Sequence, residues 1–444
     1  MAEPAIRTEV LPGGLAILTE HLPWVRSVAL GLQFSVGGRA DPDGAAGTCH
    51  MIEHMIFKGT AERDAIAINV AAESHGAELN AFTDKESTCF YGRFPGDQRG
   101  PVTGLLTEIV AGPDFREEEI DREREVISEE IRSGDEDPDG RCATLLFRAV
   151  WGDAPMGRPI AGTLESVAGL TRPGLVDFYS RQFRAPHCVA VAAGDVDHDE
   201  LKAALSGIFA PSDPSARSAQ STIDNSSFVI RASGFPPAPS AQSTIANRKS
   251  QILSESRREL SQAYVCLGLP AFDRADPRRY ALGVLNTALG GGVSSRLFQR
   301  LREREALVYS VSSFTELFSD SGLLGVYFVT DARKLTRCVA VLREELAQAR
   351  TDGFTAEEFE RARNMTKSSV LLAMESPATR MLRLARTWQN LGRVLTVDET
   401  LDGYNRLVLD DVNRLVAELL AREHFWGGAV GPASESEFTS ALAG

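Results

Sequence analysis

Short apolar runs broken by glycine and proline open the chain. Ile6 to Leu11 runs into Pro12-Gly13-Gly14, and Leu15 to Leu18 follows, which predicts a hairpin. Ser27 to Val36 reads as a further strand, ended by Gly37-Gly38 and by Asp41-Pro42-Asp43-Gly44. Helical spacing then takes over from about Gly47 to Phe57 and from Ala65 to His75, where Gly76 stops it. Glu78–Thr83 and Ser87–Phe94 read as two strands, and helices are predicted over about Val102–Ala111 and Glu117–Ser133. Interleaved strand and helix signals predict α/β or α+β with an antiparallel sheet.

From about Pro211 to Ser256 the pattern fades into Ser, Ala, Pro and Asn, and the hexapeptide Ser-Ala-Gln-Ser-Thr-Ile occurs twice, at Ser218 and at Ser240. This reads as a linker or exposed insertion, with the repeat a local duplication. The second half repeats the style of the first. A strand is predicted at Ala263–Leu269 and a helix at Pro277–Leu289. After Gly290-Gly291-Gly292 come a helix at Ser295–Glu303 and strands at Val308–Phe314 and Gly322–Val329. Thr355 and Glu358 have capping-box spacing at the head of a long helix. The expected division is 1–210, a linker at 211–256, and 257–444.

Composition narrows the classes. With 444 residues, 43% hydrophobic and 24% charged, the chain is an ordinary globular protein with room for a real core. A net charge of −14 argues against a nucleic-acid footprint. No apolar stretch is long enough to span a membrane, and the first residues show no secretory signal. Six scattered cysteines without a C-x-x-C spacing fit reduced, buried thiols, and a cytoplasmic location is expected.

The sharpest local signal is His50-Met51-Ile52-Glu53-His54. Histidines at i and i+4 share one helix face, which suits two imidazole ligands on one zinc ion. Glu53 falls beside them, placed to hold and deprotonate a water at the metal. Chance spacing of so few histidines yields on the order of 0.01 such matches in a chain of this composition. The bland reading is two ordinary helix histidines beside a surface glutamate. Against it, Met51, Ile52, Met55, Ile56 and Phe57 make the helix apolar nearly all round, so three polar groups on one side need partners.

A catalytic zinc takes a third protein ligand and leaves one position open. The helix around Ile120, Ile127 and Ile131 offers carboxylates. Glu123 and Glu130 flank its apolar stripe, and Glu125 and Glu129 face away. Helical geometry leaves either Glu123 or Glu130 as the ligand.

These residues resemble the pitrilysin-type metallopeptidases, the M16 family. The family pattern is H-x-x-E-H with a ligand Glu 76 residues after the second histidine, which falls on Glu130. The supportive Glu seven residues earlier maps to Glu123. Phe57-Lys58-Gly59-Thr60, Gly157-Arg158-Pro159-Ile160 and Gly194-Asp195-Val196-Asp197-His198 continue the resemblance. So do Asn80-Ala81-Phe82-Thr83, like the family's substrate-binding edge strand, and Ser295-Arg296-Leu297-Phe298 with Tyr309-Ser310-Val311, like its Arg/Tyr segment. One departure is Ala306, where the family often has glycine.

The resemblance implies an α+β fold of two homologous halves in a clam-shell arrangement, each an antiparallel sheet with helices packed on it. It implies a zinc endopeptidase with one Zn²⁺ per chain on His50, His54 and Glu130. Glu53 would be the general base, and Glu123 would orient the ligands. An extended peptide would lie along Asn80, Ala81 and Phe82. Arg296, a cation near a helix start where the dipole opposes it, would bind a substrate carbonyl or carboxylate, and Tyr309 would donate to the oxyanion. Both segments occur in one chain, so a homodimer is expected. The competing expectation is a non-catalytic scaffold or regulatory subunit of the same fold.

Overall fold

The computed structural model describes residues 5–208, 251–421 and 425–443. They fall into two compact units. The first comprises described residues within Met1–Ile131, Pro159–Gly234 and Ala373–Leu395, and the second those within Arg132–Arg158, Phe235–Leu372 and Thr396–Gly444.

In the first unit, β1 (Ala5–Val10) and β2 (Ala16–His21) form the predicted hairpin, with Val10 opposite Ala16. With β3 (Ser27–Phe34), β4 (Glu78–Thr83), β5 (Thr88–Pro95) and β6 (Cys188–Gly194) they build a sheet in the order β1-β2-β6-β3-β5-β4. Only the β2–β6 pair is parallel. The strand β3 is buried on both faces, and mostly apolar, because both are covered. Val28, Leu30, Leu32 and Phe34 pack into the larger core with residues of α1 (Thr48–Ile56), α2 (Ala65–Ser74), α3 (Arg99–Ala111) and α4 (Glu117–Glu136). Ala29 packs on the opposite face with Val189, Val191, Met381, Leu384 and Ala385.

The second unit holds β7 (Ile252–Ser256), β8 (Gln262–Ala271), β9 (Val308–Leu317), β10 (Gly322–Asp331) and β11 (Trp426–Gly431), in the order β7-β11-β8-β10-β9. Its one parallel pair is β7–β11. The topology repeats that of β2-β6-β3-β5-β4: the first strand runs parallel to the last, which then meets the second, fourth and third. Two homologous halves, as expected, explain this repetition.

The division differs from two contiguous halves. Helix α5 (Pro138–Trp151) belongs to the second unit, where Cys142, Leu146 and Val150 pack with Cys266, Leu323, Trp426 and Val430. The helix Pro377–Leu391 belongs to the first, where Met381, Leu384 and Ala385 cover the sheet. Each sheet needs a helix on its second face, and apolar periodicity does not say which sheet a helix will cover. Two further corrections follow. Ile252–Ser256, assigned to the linker, is strand β7; the duplicated hexapeptides lie outside the described residues. The helix expected at Ser295–Glu303 is a π-helical segment, Phe298–Arg304, after which Ala306 sits at φ 48°. Among the described residues no helix is long and apolar enough to cross a membrane.

Candidate metal centre

The helix α1 is anchored by its apolar side. Cys49, Met51, Ile52, Met55 and Ile56 are buried in the core of the first unit. That leaves His50, Glu53 and His54 on the remaining face. The chain enters α1 through Gly47 at φ 93°, a left-handed conformation suited to glycine. Glycine carries no side chain to cap the helix, and the buried carboxylate of Asp41 does so from six residues away. It accepts the backbone N–H of Gly47 at 2.7 Å and of Cys49 at 2.9 Å.

Across from α1, Ile120 and Ile127 fix the rotation of α4 by burial. Glu123 comes to lie buried and Glu130 exposed, while Glu125 and Glu129 face solvent as the helical spacing predicts. His50, His54 and Glu130 each offer one ligand atom, and these atoms lie within 4.8 Å of one another. Glu130 Oε2 is 3.9 Å from His50 Nε2 and 3.6 Å from His54 Nε2. Of the two glutamates that helical geometry left open, the structure brings Glu130 to the Nε2 atoms. Glu123 instead meets the far side of His54, Oε2 to Nδ1 at 2.8 Å.

The electrostatics suit a cation. Burial, followed by the neighbouring His54, lowers His50 to about 4, so its ring is neutral near pH 7. Burial pushes His54 down, but the hydrogen bond to Glu123 and the charges of Glu130, Glu123 and Glu53 outweigh it and hold His54 above the usual imidazole value. For Glu123 burial works upward, yet the hydrogen bonds from His54 and Lys58 win and keep its carboxyl below the ordinary range. Glu53 goes the other way. Burial raises it, against a hydrogen bond from Thr83, and its Oε2 is buried without a hydrogen-bond partner.

Sequence reasoning missed two residues here. Thr83, at the end of β4, touches Glu53. Lys58, two residues past α1, donates to Glu123 Oε1 at 2.6 Å. Both stood in quoted segments, but only the fold shows what they face.

Asn80, Ala81 and Phe82 lie on β4, the last strand of its sheet, which pairs only with β5 among the described residues. Asn80 is exposed, and Ala81 and Phe82 are half-buried. In the second unit the two candidate residues differ. Tyr309 is 68% exposed on β9, itself an edge strand. The Arg296 guanidinium is already engaged, donating from Nε and Nη2 to the two carboxylate oxygens of Glu358 at 2.7 and 2.8 Å. It also bonds the carbonyl of Gly353 at 2.6 Å and lies over the Phe354 ring at 4.6 Å. Glu358 is also the capping-box glutamate of the helix Ala356–Ala373, accepting from the Thr355 N–H. The helix-dipole argument against a stabilising role for Arg296 is therefore corrected: Glu358 is its structural partner.

Comparison with known proteins gives the family of this fold. Residues 16–164 match the family described as "Insulinase (Peptidase family M16)" and residues 169–366 the "Peptidase M16 inactive domain". An uncharacterized zinc protease of Mycobacterium leprae is 36% identical over 95% of this chain and 90% of its own length. The uncharacterized zinc protease YmxG of Bacillus subtilis is 31% identical over 94% of this chain and 97% of its own. Among solved structures, a peptidase M16 inactive domain from Pseudomonas fluorescens superposes with a TM-score of 0.84 at 20% identity, covering 97% of this chain and 98% of that one. A protease from Helicobacter pylori gives 0.83 at 19%, covering 97% and 100%. At those identities the structural likeness concerns the fold.

Proposed function

Because the chain belongs to the M16 peptidase family, we propose that it is a zinc-dependent endopeptidase acting on extended, unfolded peptides. The observation that carries this reading is the convergence of His50, His54 and Glu130. Two imidazole nitrogens and a carboxylate are the donor set of a catalytic zinc. Glu130 Oε2 lies 3.6 and 3.9 Å from the two imidazole nitrogens, close to the edge of about 3.4 Å that a tetrahedron with bonds near 2.1 Å requires. When bound, zinc would lower the pKa of a water toward about 7 and polarise the scissile carbonyl.

The chain's own residues do the rest. His50, neutral over the working range, offers its lone pair without proton competition. His54 donates Nδ1–H to Glu123, which turns Nε2 toward Glu130 as an unprotonated ligand atom. Glu53 accepts the proton of the attacking water and delivers it to the leaving amine nitrogen. Its raised pKa and orphaned oxygen suit a group that takes a proton readily. Among the described residues β4 pairs only with β5, and its other edge offers main-chain N–H and C=O groups to a peptide laid down as a further strand, a mode that reads extended shape more than sequence.

The competing reading is a non-catalytic scaffold of the same fold. The presence of the two histidines and of Glu53, Glu123 and Glu130 at one centre favours the enzyme. The deciding experiment is E53Q, assayed for zinc content and for cleavage of an unfolded peptide library. Retained zinc with cleavage reduced about 10²-fold or more supports the reading; zinc-loaded wild type with no cleavage at all selects the scaffold. We also propose a homodimer, because the metal ligands and the Arg296–Tyr309 segment occur in one chain. Light scattering that finds only fully active monomers would refute that.

A further inference from the structure

We propose that Lys58 is a positioning residue for the metal centre, acting through Glu123 on His54. The inference rests on the zinc reading above. The Glu123 side chain is only 5% exposed, so water does little to stabilise its charge. One of its oxygens accepts from His54 Nδ1 at 2.8 Å, and the other meets Lys58 Nζ at 2.6 Å. When His54 ligates zinc it is a neutral imidazole and contributes only a dipole to Glu123. The formal countercharge in contact with Glu123 is then the ammonium of Lys58.

Local backbone geometry explains why this residue can reach. Phe57 N–H bonds His54 C=O at 3.3 Å and Lys58 N–H bonds Met55 C=O at 3.1 Å, closing α1 with a tight turn. The turn brings residue 58 back toward the flank of α1 that carries His54. An exposed lysine on an exposed carboxylate would contribute little and orient nothing. Here the carboxylate is buried and its second oxygen sets the imidazole. Losing the ammonium leaves a buried carboxylate without its countercharge, which drives it away from the position that orients His54. Outer partners of this kind typically alter metal affinity about 10–100-fold.

The test is zinc affinity, measured by chelator competition on the full chain as wild type, K58M, K58R, E123Q and K58M/E123Q, with melting of the metal-free proteins in parallel. K58M, which keeps an unbranched chain of similar length, is expected to weaken zinc about 10-fold or more, and K58R to restore most of it. In the E123Q background K58M is expected to change affinity by less than about twofold, since its effect runs through Glu123. K58M affinity within about twofold of wild type overturns the proposal, as do K58M and E123Q effects that simply multiply. A lowered metal-free melting point with unchanged zinc affinity likewise reduces Lys58 to a structural residue. If K58M does not fold, K58Q replaces it. Wild type that takes up no zinc refutes the zinc reading itself and this proposal with it.

Discussion

Arg380 donates to the carboxylate of Glu20 at 2.5 Å, joining residues 360 apart in sequence, with side chains 13% and 2% exposed. The pair fastens the helix Pro377–Leu391 to β2 inside the first unit. Gln33 and Gln389, whose side-chain amides meet at 2.5 Å, form a second polar tie between that helix and the sheet. Breaking a buried pair by removing one partner leaves the other charge uncompensated. R380M is therefore expected to destabilise the metal-free protein by about 3–5 kcal/mol. Urea unfolding followed by hydrogen exchange should place the loss in the strands of the first unit. Loss confined to the second unit would contradict the assignment of this helix.

Zinc binding should release a proton from His54. Its folded-state pKa is raised, so below that value zinc must displace a proton, and above it none is left to displace. Affinity thus climbs with pH through the His54 titration and then levels off. His50, lowered to about 4, adds nothing near neutrality. Calorimetry in buffers of different ionisation enthalpy at about pH 6 should show release approaching one proton per zinc. The E123Q variant should show less, because the Glu123 hydrogen bond leads the influences that raise His54. Equal release in both would count against this account.

If Glu53 is the general base, Thr83 should set the acid limb of peptide cleavage. Its hydrogen bond favours charged Glu53, opposing the burial that raises it. Removing the hydroxyl in T83V raises the Glu53 pKa further. The base is then protonated at higher pH, and the acid limb of kcat/KM moves upward relative to zinc-loaded wild type. A limb that stays in place or moves down would show that Thr83 does not act on Glu53.

Asp41 should matter for α1 beyond its distance in sequence. It is buried, and it satisfies two N–H groups at the start of the helix that carries His50. D41A removes both acceptors and is expected to cost about 1–3 kcal/mol of stability. D41N keeps one acceptor oxygen and should fall between D41A and wild type. Equal unfolding midpoints for all three would remove the capping role.

Ala306 occupies a left-handed conformation at φ 48° on the approach to β9. That backbone costs a residue with a Cβ roughly 1–2 kcal/mol, against about 0.5–1 kcal/mol of extra chain entropy lost by glycine. A306G is thus expected to be neutral to stabilising by up to about 1.5 kcal/mol, and A306V to be clearly destabilising. Thermal melting of the pair checks both signs.

The sequence alone determined what is local. Four-residue spacing puts His50 and His54 on one face, and seven-residue spacing puts Glu123 and Glu130 on one flank, because helical geometry converts separation directly into angle. Hairpin and strand positions were legible for the same reason, since glycine and proline act on their own neighbours. The family spacing then pointed to Glu130 as the ligand.

What only the tertiary structure decided is what each exposed or buried group faces. Nothing local tells that Lys58 meets a buried Glu123, that Thr83 reaches Glu53, or that Arg296 is spent on Glu358. Nor does apolar periodicity tell that α5 and the helix Pro377–Leu391 pack on sheets other than those of their neighbours in sequence. A helix face is apolar wherever it is buried, and a carboxylate is charged whoever its partner is. The choice of partner is made by chain segments tens to hundreds of residues away, through burial that the complete fold alone creates.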